Sequence, residues 1–310
     1  MTASQPIPTI TTSQNHVEVP LHDVPCNLCG SEKRKPYCPE NDLRLVQCEN
    51  CGLVYVNPRP DPLELYALYG ETYFHNEQSG VVGYTNYLKD EPNIRRTFAG
   101  RLQRLSRFIQ PGKVLDVGCA AGFFLDEARK ASWQAQGLDV SSFAVRYAAE
   151  HFGVDVQEGS FTDLKFAANS YDLISMWDVI EHVPNPKGYI ERAAELLKQG
   201  GVFVMATPDV DSIPARLTGK RWVGFKLSEE HVYYFSARTL GKMLEEAGFE
   251  VLDTRHVGKY VTIRLFLDRL GMYLPSLSGL LQQFERVFHL SERAVYVNPF
   301  DIMAITARKR

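Results

Sequence analysis

The chain has 310 residues, enough for one large core and a smaller module, and its 45% hydrophobic and 23% charged content is that of a globular domain. A formal net charge of -3 supplies no general basic field, which argues against a nucleic-acid partner. No run approaches the ~18 uninterrupted apolar residues of a membrane span. The first twenty residues lack the basic and apolar regions of a secretory leader, so the six cysteines read as thiols in a reducing, cytoplasmic setting.

Residues 1–22, rich in Ser, Thr, Gln and Pro, are expected to be a disordered tail. Residues 23–62 carry Cys26-x2-Cys29 and Cys48-x2-Cys51, separated by 18 residues, which is the spacing of a four-cysteine zinc ribbon. Gly30 and Gly52 follow the two pairs, as tight turns around thiolates require. Four thiolates would leave zinc no open position, so the site reads as structural. Cys38 lies between the pairs and is read as a bystander, with Cys38 and His22 as substitute ligands.

Residues 63–111 read as a helical cap or linker. Tyr73, Tyr84 and Tyr87 are candidates to roof a pocket, or simply to pack. A helix there shows Phe98, Leu102, Leu105 and Ile109 on one face, with Arg101, Arg104 and Arg107 off it, and Pro111-Gly112 as its stop.

From residue 112 to 310, strands and helices alternate. Strands are predicted over 113–119, 135–140, 154–157, 171–177, 202–206, 250–257 and 301–307. Helices lie between them; Ser141 and Ser236 are the expected caps, and Gly153 and Gly248 the stops. The fold class is α/β: a doubly wound seven-stranded, mostly parallel sheet with an antiparallel last strand, a small N-terminal zinc ribbon, and a helical insertion at 259–298. Ligands of such sheets bind beyond the carboxyl ends of the strands, after Cys119, Val140, Trp177 and Ala206.

The turn Asp116-Val117-Gly118-Cys119-Ala120-Ala121-Gly122 is compact, but Ala120 stands where a dinucleotide loop needs its middle glycine. Asp139, 21 residues after Gly118, ends the next strand, where a carboxylate can accept both hydroxyls of a ribose. Together VLDVGCAAG, GLDVS and YDLISMWDVIEHVPNP resemble the class I S-adenosylmethionine-dependent methyltransferases. That resemblance implies roles by position. Gly118 and Gly122 belong to the loop passing the methionine part of the cofactor, with Asp116 near its amino group. Asp139 would hold the ribose, Val140 and Phe161 would flank the adenine, and Trp177 would border the acceptor opening. Many relatives carry an acidic residue where Ser160 stands, and this chain does not.

The segment CNLCG…QCENCGLVYVNPRP ahead of such a domain is similar to the N-terminal module of zinc-ribbon methyltransferases, a group that includes enzymes acting on nucleotide-linked sugars. The similarity points to a saccharide acceptor. Glu230-His231 resembles a Glu-His pair of sugar C-methyltransferases, although the preceding Tyr of that pattern is replaced by Leu227-Ser228-Glu229. His231, oriented by Glu230, and His182 after the fourth strand are the candidate general bases, because an imidazole accepts a proton at neutral pH. His231 is expected on the face where substrate enters.

The expected activity is methyl transfer to oxygen or carbon of a small molecule, a saccharide or nucleotide sugar first, with S-adenosylmethionine and structural zinc as cofactors. A phenol or quinone precursor, RNA, and nicotinamide-dependent oxidoreduction are the alternatives. Apolar positions at helical spacing in the insertion (Ile263, Phe266, Leu267 and Leu270, then Leu277, Leu280, Leu281 and Phe284) suggest a lid or a homodimer contact.

Overall fold

The computed structural model describes residues 9–11, 18–37, 44–61, 87–227, 231–273 and 293–310. Strands β1 (Thr9–Thr11) and β2 (Glu18–Pro20) pair antiparallel, so part of the expected disordered tail is a short β-ribbon. Its β-branched Thr9, Ile10, Thr11 and Val19 favour extended backbone, which composition alone concealed.

Three antiparallel strands form the cysteine-bearing module: β3 (Arg34–Pro36), β4 (Leu45–Cys48) and β5 (Val54–Val56). Helix α1 (Glu91–Leu105) starts with a proline in its first turn, where the missing N–H costs nothing. It ends at Leu105, so Ile109 packs on the core from the turn beyond it and not from the helix itself.

The alternation then follows as expected, with ends shifted by a few residues: β6 (Lys113–Val117), α2 (Phe123–Lys130), β7 (Gln134–Asp139), α3 (Ser142–Phe152), β8 (Asp155–Glu158), β9 (Tyr171–Trp177), α4 (Pro186–Leu196), β10 (Leu197–Pro208) and α5 (Ile213–Thr218). Next come β11 (Tyr233–Tyr234), α6 (Ala237–Glu246), β12 (Phe249–His256), β13 (Lys259–Thr262), α7 (Ile263–Tyr273), β14 (Ala294–Val297) and β15 (Ile302–Lys309). Ser141 caps α3 by accepting from the Ala144 amide, and Ser236 closes a capping box on α6 with Thr239. Gly153 ends α3 in the left-handed region.

Seven strands form one sheet in the order β12-β15-β10-β9-β6-β7-β8. β15 runs antiparallel to both neighbours, and the pairs from β10 to β8 are parallel. The chain enters at β6, winds outward to β8, and returns to β9 on the other side of β6. The switch point therefore lies between β6 and β9.

Alternate side chains face opposite layers, as a pleated strand dictates. Val114, Leu173, Val202 and Val204 pack under α1, α2 and α3 with Leu102, Phe124, Leu125 and Ala148. Leu115, Val117, Ile174, Met176 and Phe203 pack on the other side with Ile190 of α4 and Leu240 and Leu244 of α6.

The cysteine module joins the second layer. Strand β11 adds antiparallel to β5, giving a four-stranded sheet β11-β5-β4-β3. One face of this sheet (Leu53, Tyr55, Tyr233) belongs to the main core. The other (Leu45, Val54, Val56, Tyr234) covers Trp222 and Phe225 in a core of its own. A module expected at residues 23–62 is thus completed by two residues from beyond position 230. Strands β13 and β14 pair antiparallel at the base of the insertion. Leu277, Leu280, Leu281 and Phe284 lie outside the described residues. Among the described residues no helix is long and apolar enough to cross a membrane.

Candidate active site

A cavity of about 190 Å³ opens at the carboxyl ends of β6, β7 and β9, at the switch point. Asp116, Gly118, Asp139, Val140, Phe161 and Trp177, expected from sequence to meet, all line it. Gly122 lies behind: a Cβ there would come 2.7 Å from the Ala148 Cβ, so this glycine lets α2 and α3 approach. Gly118 has φ +72°, and a Cβ on it would sit 2.6 Å from Val179 Cγ2. The loop needs glycine at both positions.

Ala120 adopts φ +46°, a left-handed backbone at a non-glycine residue. Its amide donates to Asp139 Oδ2 at 2.8 Å, and the Ser141 amide donates to Asp139 Oδ1 at 2.9 Å. One carboxylate therefore ties the turn after β6 to the turn after β7. Burial raises the Asp139 carboxyl above its usual range, against the lowering effect of these backbone amides.

Asp116 is buried and accepts from the Ser175 hydroxyl at 2.6 Å. Burial pushes its carboxyl up to about 8; the Ser175 hydrogen bond and Arg101 oppose the rise, while Asp139 reinforces it. Arg101 lines the cavity, its guanidinium 4.6 Å from the Trp177 ring centre. From sequence, Arg101 has only a place off the apolar face of α1. The signal was its spacing, one turn after Phe98, which lines the same cavity. Trp177 is boxed by Phe98 and Phe124, with centroids 6.0 and 5.5 Å away. Tyr87 also lines the cavity, stacked on Phe123, whereas Tyr73 and Tyr84 lie outside the described residues. Ser160 meets Tyr189 through its hydroxyl at 3.3 Å, and Tyr189 lines the cavity.

The two histidines meet edge to face, ring centres 4.5 Å apart. Their order reverses the expectation: His182 lines the cavity and His231 is buried outside its lining. The cause is β11, which carries Val232 and Tyr233 back onto the turn after β9. Both their amides donate to the Glu181 carbonyl, at 2.9 and 3.1 Å, drawing His231 inward. Burial, reinforced by His182, holds the His231 imidazole well below the usual histidine range. Glu230 lies outside the described residues. The carboxylate that stands beside both rings is Glu181, which sequence reading passed over because DVIEH reads as a turn. Glu181 Oε1 lies 4.0 Å from His182 Nε2, and the side chain is 1% exposed.

The four cysteine sulfurs Cys26, Cys29, Cys48 and Cys51 lie within 4.8 Å of one another. Cys26 to Cys51 is 3.4 Å and Cys29 to Cys48 is 3.5 Å. Zinc–sulfur bonds of ~2.3 Å give tetrahedral edges of about 3.8 Å, so the donors fit a zinc ion with small shifts. Gly30 and Gly52, both at positive φ, return their amides to the Cys26 and Cys48 carbonyls. Arg238 of α6 donates to the Cys51 carbonyl at 2.8 Å. His22 faces Asp61 at 3.6 Å, and Cys38 lies outside the described residues.

Residues 91–254, just over half of the chain, match the family model described as a methyltransferase domain. A protein of Mycolicibacterium smegmatis described as a probable S-adenosylmethionine-dependent methyltransferase is 30% identical over 49% of this chain and 57% of its own length. A ubiquinone biosynthesis O-methyltransferase of Xanthomonas axonopodis pv. citri is 32% identical over 49% of this chain and 70% of its own. The chain thus spans little more than half of the first of these relatives. A SAM-dependent methyltransferase structure from Archaeoglobus fulgidus shares the fold with TM-score 0.50 at 17% identity, covering 72% of this chain and 99% of that one. The matched segment contains every cavity-lining residue except Tyr87, and the chain belongs to the methyltransferase domain family.

Proposed function

We propose that the protein is an S-adenosylmethionine-dependent methyltransferase acting on a hydroxyl of a small molecule. The observation that carries this reading is the cavity itself. Buried Asp116 and Asp139, the backbone of Gly118, Arg101 and His182 line it, and Glu181 is buried 4.0 Å from His182. The cofactor fits these residues by chemistry: an ammonium for Asp116, a carboxylate for Arg101, a ribose diol for Asp139 and an apolar slot between Val140 and Phe161 for the adenine. When bound, it supplies an electrophilic methyl on a sulfonium whose sulfur leaves without needing an acid.

The chain's own part is alignment, exclusion of water and handling of the acceptor proton. Trp177 and Phe98, backed by Phe124, form an apolar wall that keeps water from the reacting groups. The acceptor hydroxyl gives up its proton at the end of the cavity where Glu181 and His182 stand. A phenolic acceptor is supported by the ubiquinone O-methyltransferases among the relatives. A saccharide is the second reading, and it rests on the cysteine ribbon that resembles those of sugar methyltransferases. Zinc in the ribbon is structural in both.

Calorimetric titration of wild type and Asp139→Ala with S-adenosylmethionine tests the cofactor. Transfer of labelled methyl to a panel of phenols and nucleotide sugars then tests the acceptor. Absence of binding to folded wild type overturns the reading. Methylation of sugars but not phenols moves it to the second acceptor class.

A further inference from the structure

Glu181 stands out among the buried groups. It is 1% exposed, and neither carboxylate oxygen has a well-formed hydrogen bond among the described residues; its own amide and the Thr207 hydroxyl are the donors close enough to favour its charged form. His231 is 4% exposed, and its Nδ1 is likewise unpartnered among them. The hydroxyls of Thr207 and Tyr234 share that state. A carboxylate and an imidazole buried together with so few donors are costly, and a bound cation would satisfy both.

Three donor atoms converge there. One oxygen of Glu181 and one nitrogen each of His182 and His231 lie within 4.8 Å of one another. The donors come from two segments, and the segments are locked together: the Val232 and Tyr233 amides both bond the Glu181 carbonyl. Asp178, which lines the adjoining cavity, adds a second carboxylate close enough to act on Glu181. The Arg59 guanidinium donates to the Pro184 carbonyl and that of Arg101 lies over Trp177, while each keeps one buried nitrogen without a partner among the described residues.

We propose that Glu181, His182 and His231 bind a divalent transition-metal ion, distinct from the ion of the four cysteines. A donor set of one carboxylate and two imidazoles suits Zn²⁺, Fe²⁺, Co²⁺ or Mn²⁺ and leaves positions open for an outside ligand. His182 lines the cavity, so an open position would face the acceptor. Its role rests on the methyl-transfer reading. The ion would take the acceptor's hydroxyl oxygen, and the hydroxyl proton would pass to solvent. That oxygen's electron pair then forms the new C–O bond as the S–CH3 bond breaks, and the sulfur keeps the pair as a thioether. The acceptor class that follows is a hydroxyl acidic enough, or chelating enough, to bind a metal, such as a catechol or an enediol.

The probe is Co²⁺, titrated into full-length protein whose four-cysteine site is already filled with zinc. Cobalt on thiolates gives an intense sulfur charge-transfer band, whereas cobalt on imidazole and carboxylate gives only weak visible bands. The expected result is saturable uptake of about one further ion per chain with weak bands alone. Glu181→Gln and His182→Ala should each weaken it at least about a hundredfold, beyond the effect of losing an outer-shell partner. His182 borders the cavity, so its variant keeps the test open if Glu181→Gln fails to fold. No uptake by wild type at millimolar cobalt, or uptake unchanged in a folded His182→Ala, overturns the proposal. Cofactor titration run alongside separates the two readings: cofactor binding without second-site cobalt sinks the metal site only. Cobalt binding without cofactor binding sinks the methyltransferase reading and leaves the site.

Discussion

The two sides of the cavity are built in opposite ways. The side carrying Asp116, Gly118 and Asp139 comes from consecutive strand-to-turn units, with partners a few residues or one βα unit apart. Beside it, His182 lines the cavity from the turn after β9, with Glu181 and His231 buried behind it; His231 comes from a segment some fifty residues later that hangs on the cysteine module. The first side is therefore rigid wherever the parallel sheet is folded. In the second, His231 meets Glu181 and His182 only while β11 is paired with β5. Local construction gives a site that persists by itself, and construction across modules makes the surroundings of His182 depend on the four-cysteine module.

The sharpest way to break this contrast is to chelate the zinc proposed for the four cysteines. Metal binding in such modules contributes roughly 10–16 kcal/mol to folding, so chelation should open β3, β4 and β5 and release β11. Hydrogen exchange on the metal-free protein should show amides 54–56 and 232–234 losing protection while those of β6 and β7 keep it. Cofactor affinity should stay within about threefold, under 1 kcal/mol. Equal loss of protection in β6 and β7 would mean that the two sides are one cooperative unit, as the shared core of Tyr55 with Leu115 and Ile174 could also produce.

This contrast also explains what could be read from sequence. The loop 116–122, Asp139 and the two cysteine pairs were legible because each constraint acts over a short stretch: a glycine where φ is positive, an acid at a strand end, knuckles with fixed spacing. The pairing of β11 with β5 was not, since two residues carry no periodicity and their partner lies nearly two hundred residues away. Without that pairing His231 reads as a loop residue on the substrate face, and Glu181 has no visible reason to be buried. The short β-ribbon at residues 9–20 was missed for the same reason of length.

Next in size are the charged groups of the first side. Arg101→Ala and Asp139→Ala should each weaken cofactor binding by about ten- to a hundredfold, the loss of a charge-assisted contact of roughly 1.5–3 kcal/mol. Only Asp139→Ala should also lower the melting temperature, because Asp139 holds two backbone amides as well. Equal thermal effects would show that Arg101 is structural, held over Trp177 for packing alone. Arg238→Ala, which removes the bond to the Cys51 carbonyl, should reproduce part of the zinc effect on residues 232–234 and leave cofactor affinity unchanged.

Asp116 gives a smaller, pH-dependent signal. Its carboxyl is ordinary in the unfolded chain, near 3.8, and raised to about 8 when buried. Between these values the unfolded state holds fewer protons, so this group makes stability fall as pH rises from about 4 to about 8. Asp116→Asn should flatten that slope. An ammonium placed beside Asp116 would favour the ionised form, so cofactor binding at pH 7 should release up to one proton. Calorimetry in two buffers of different ionisation enthalpy reads this directly, and an identical heat in both would separate Asp116 from the cofactor's amino group.

The smallest expected effect lies at Ala120, and it asks whether the first side is as relaxed as its local construction suggests. At φ +46° an L-residue bears a strain of about 1–2 kcal/mol, which Ala120→Gly would relieve. Glycine also widens the unfolded ensemble, at a cost of about 0.4–1 kcal/mol, so the net change should lie between about 0 and a gain of about 1.6 kcal/mol. Denaturant unfolding measures it, with cofactor titration alongside. A small gain with unchanged affinity means that the Asp139 carboxylate holds the Ala120 amide in place whichever residue stands there. A loss above about 1 kcal/mol would mean instead that the methyl group of Ala120, on the cavity wall, is itself packed, and that this turn depends on its side chain as well as on the carboxylate it bonds.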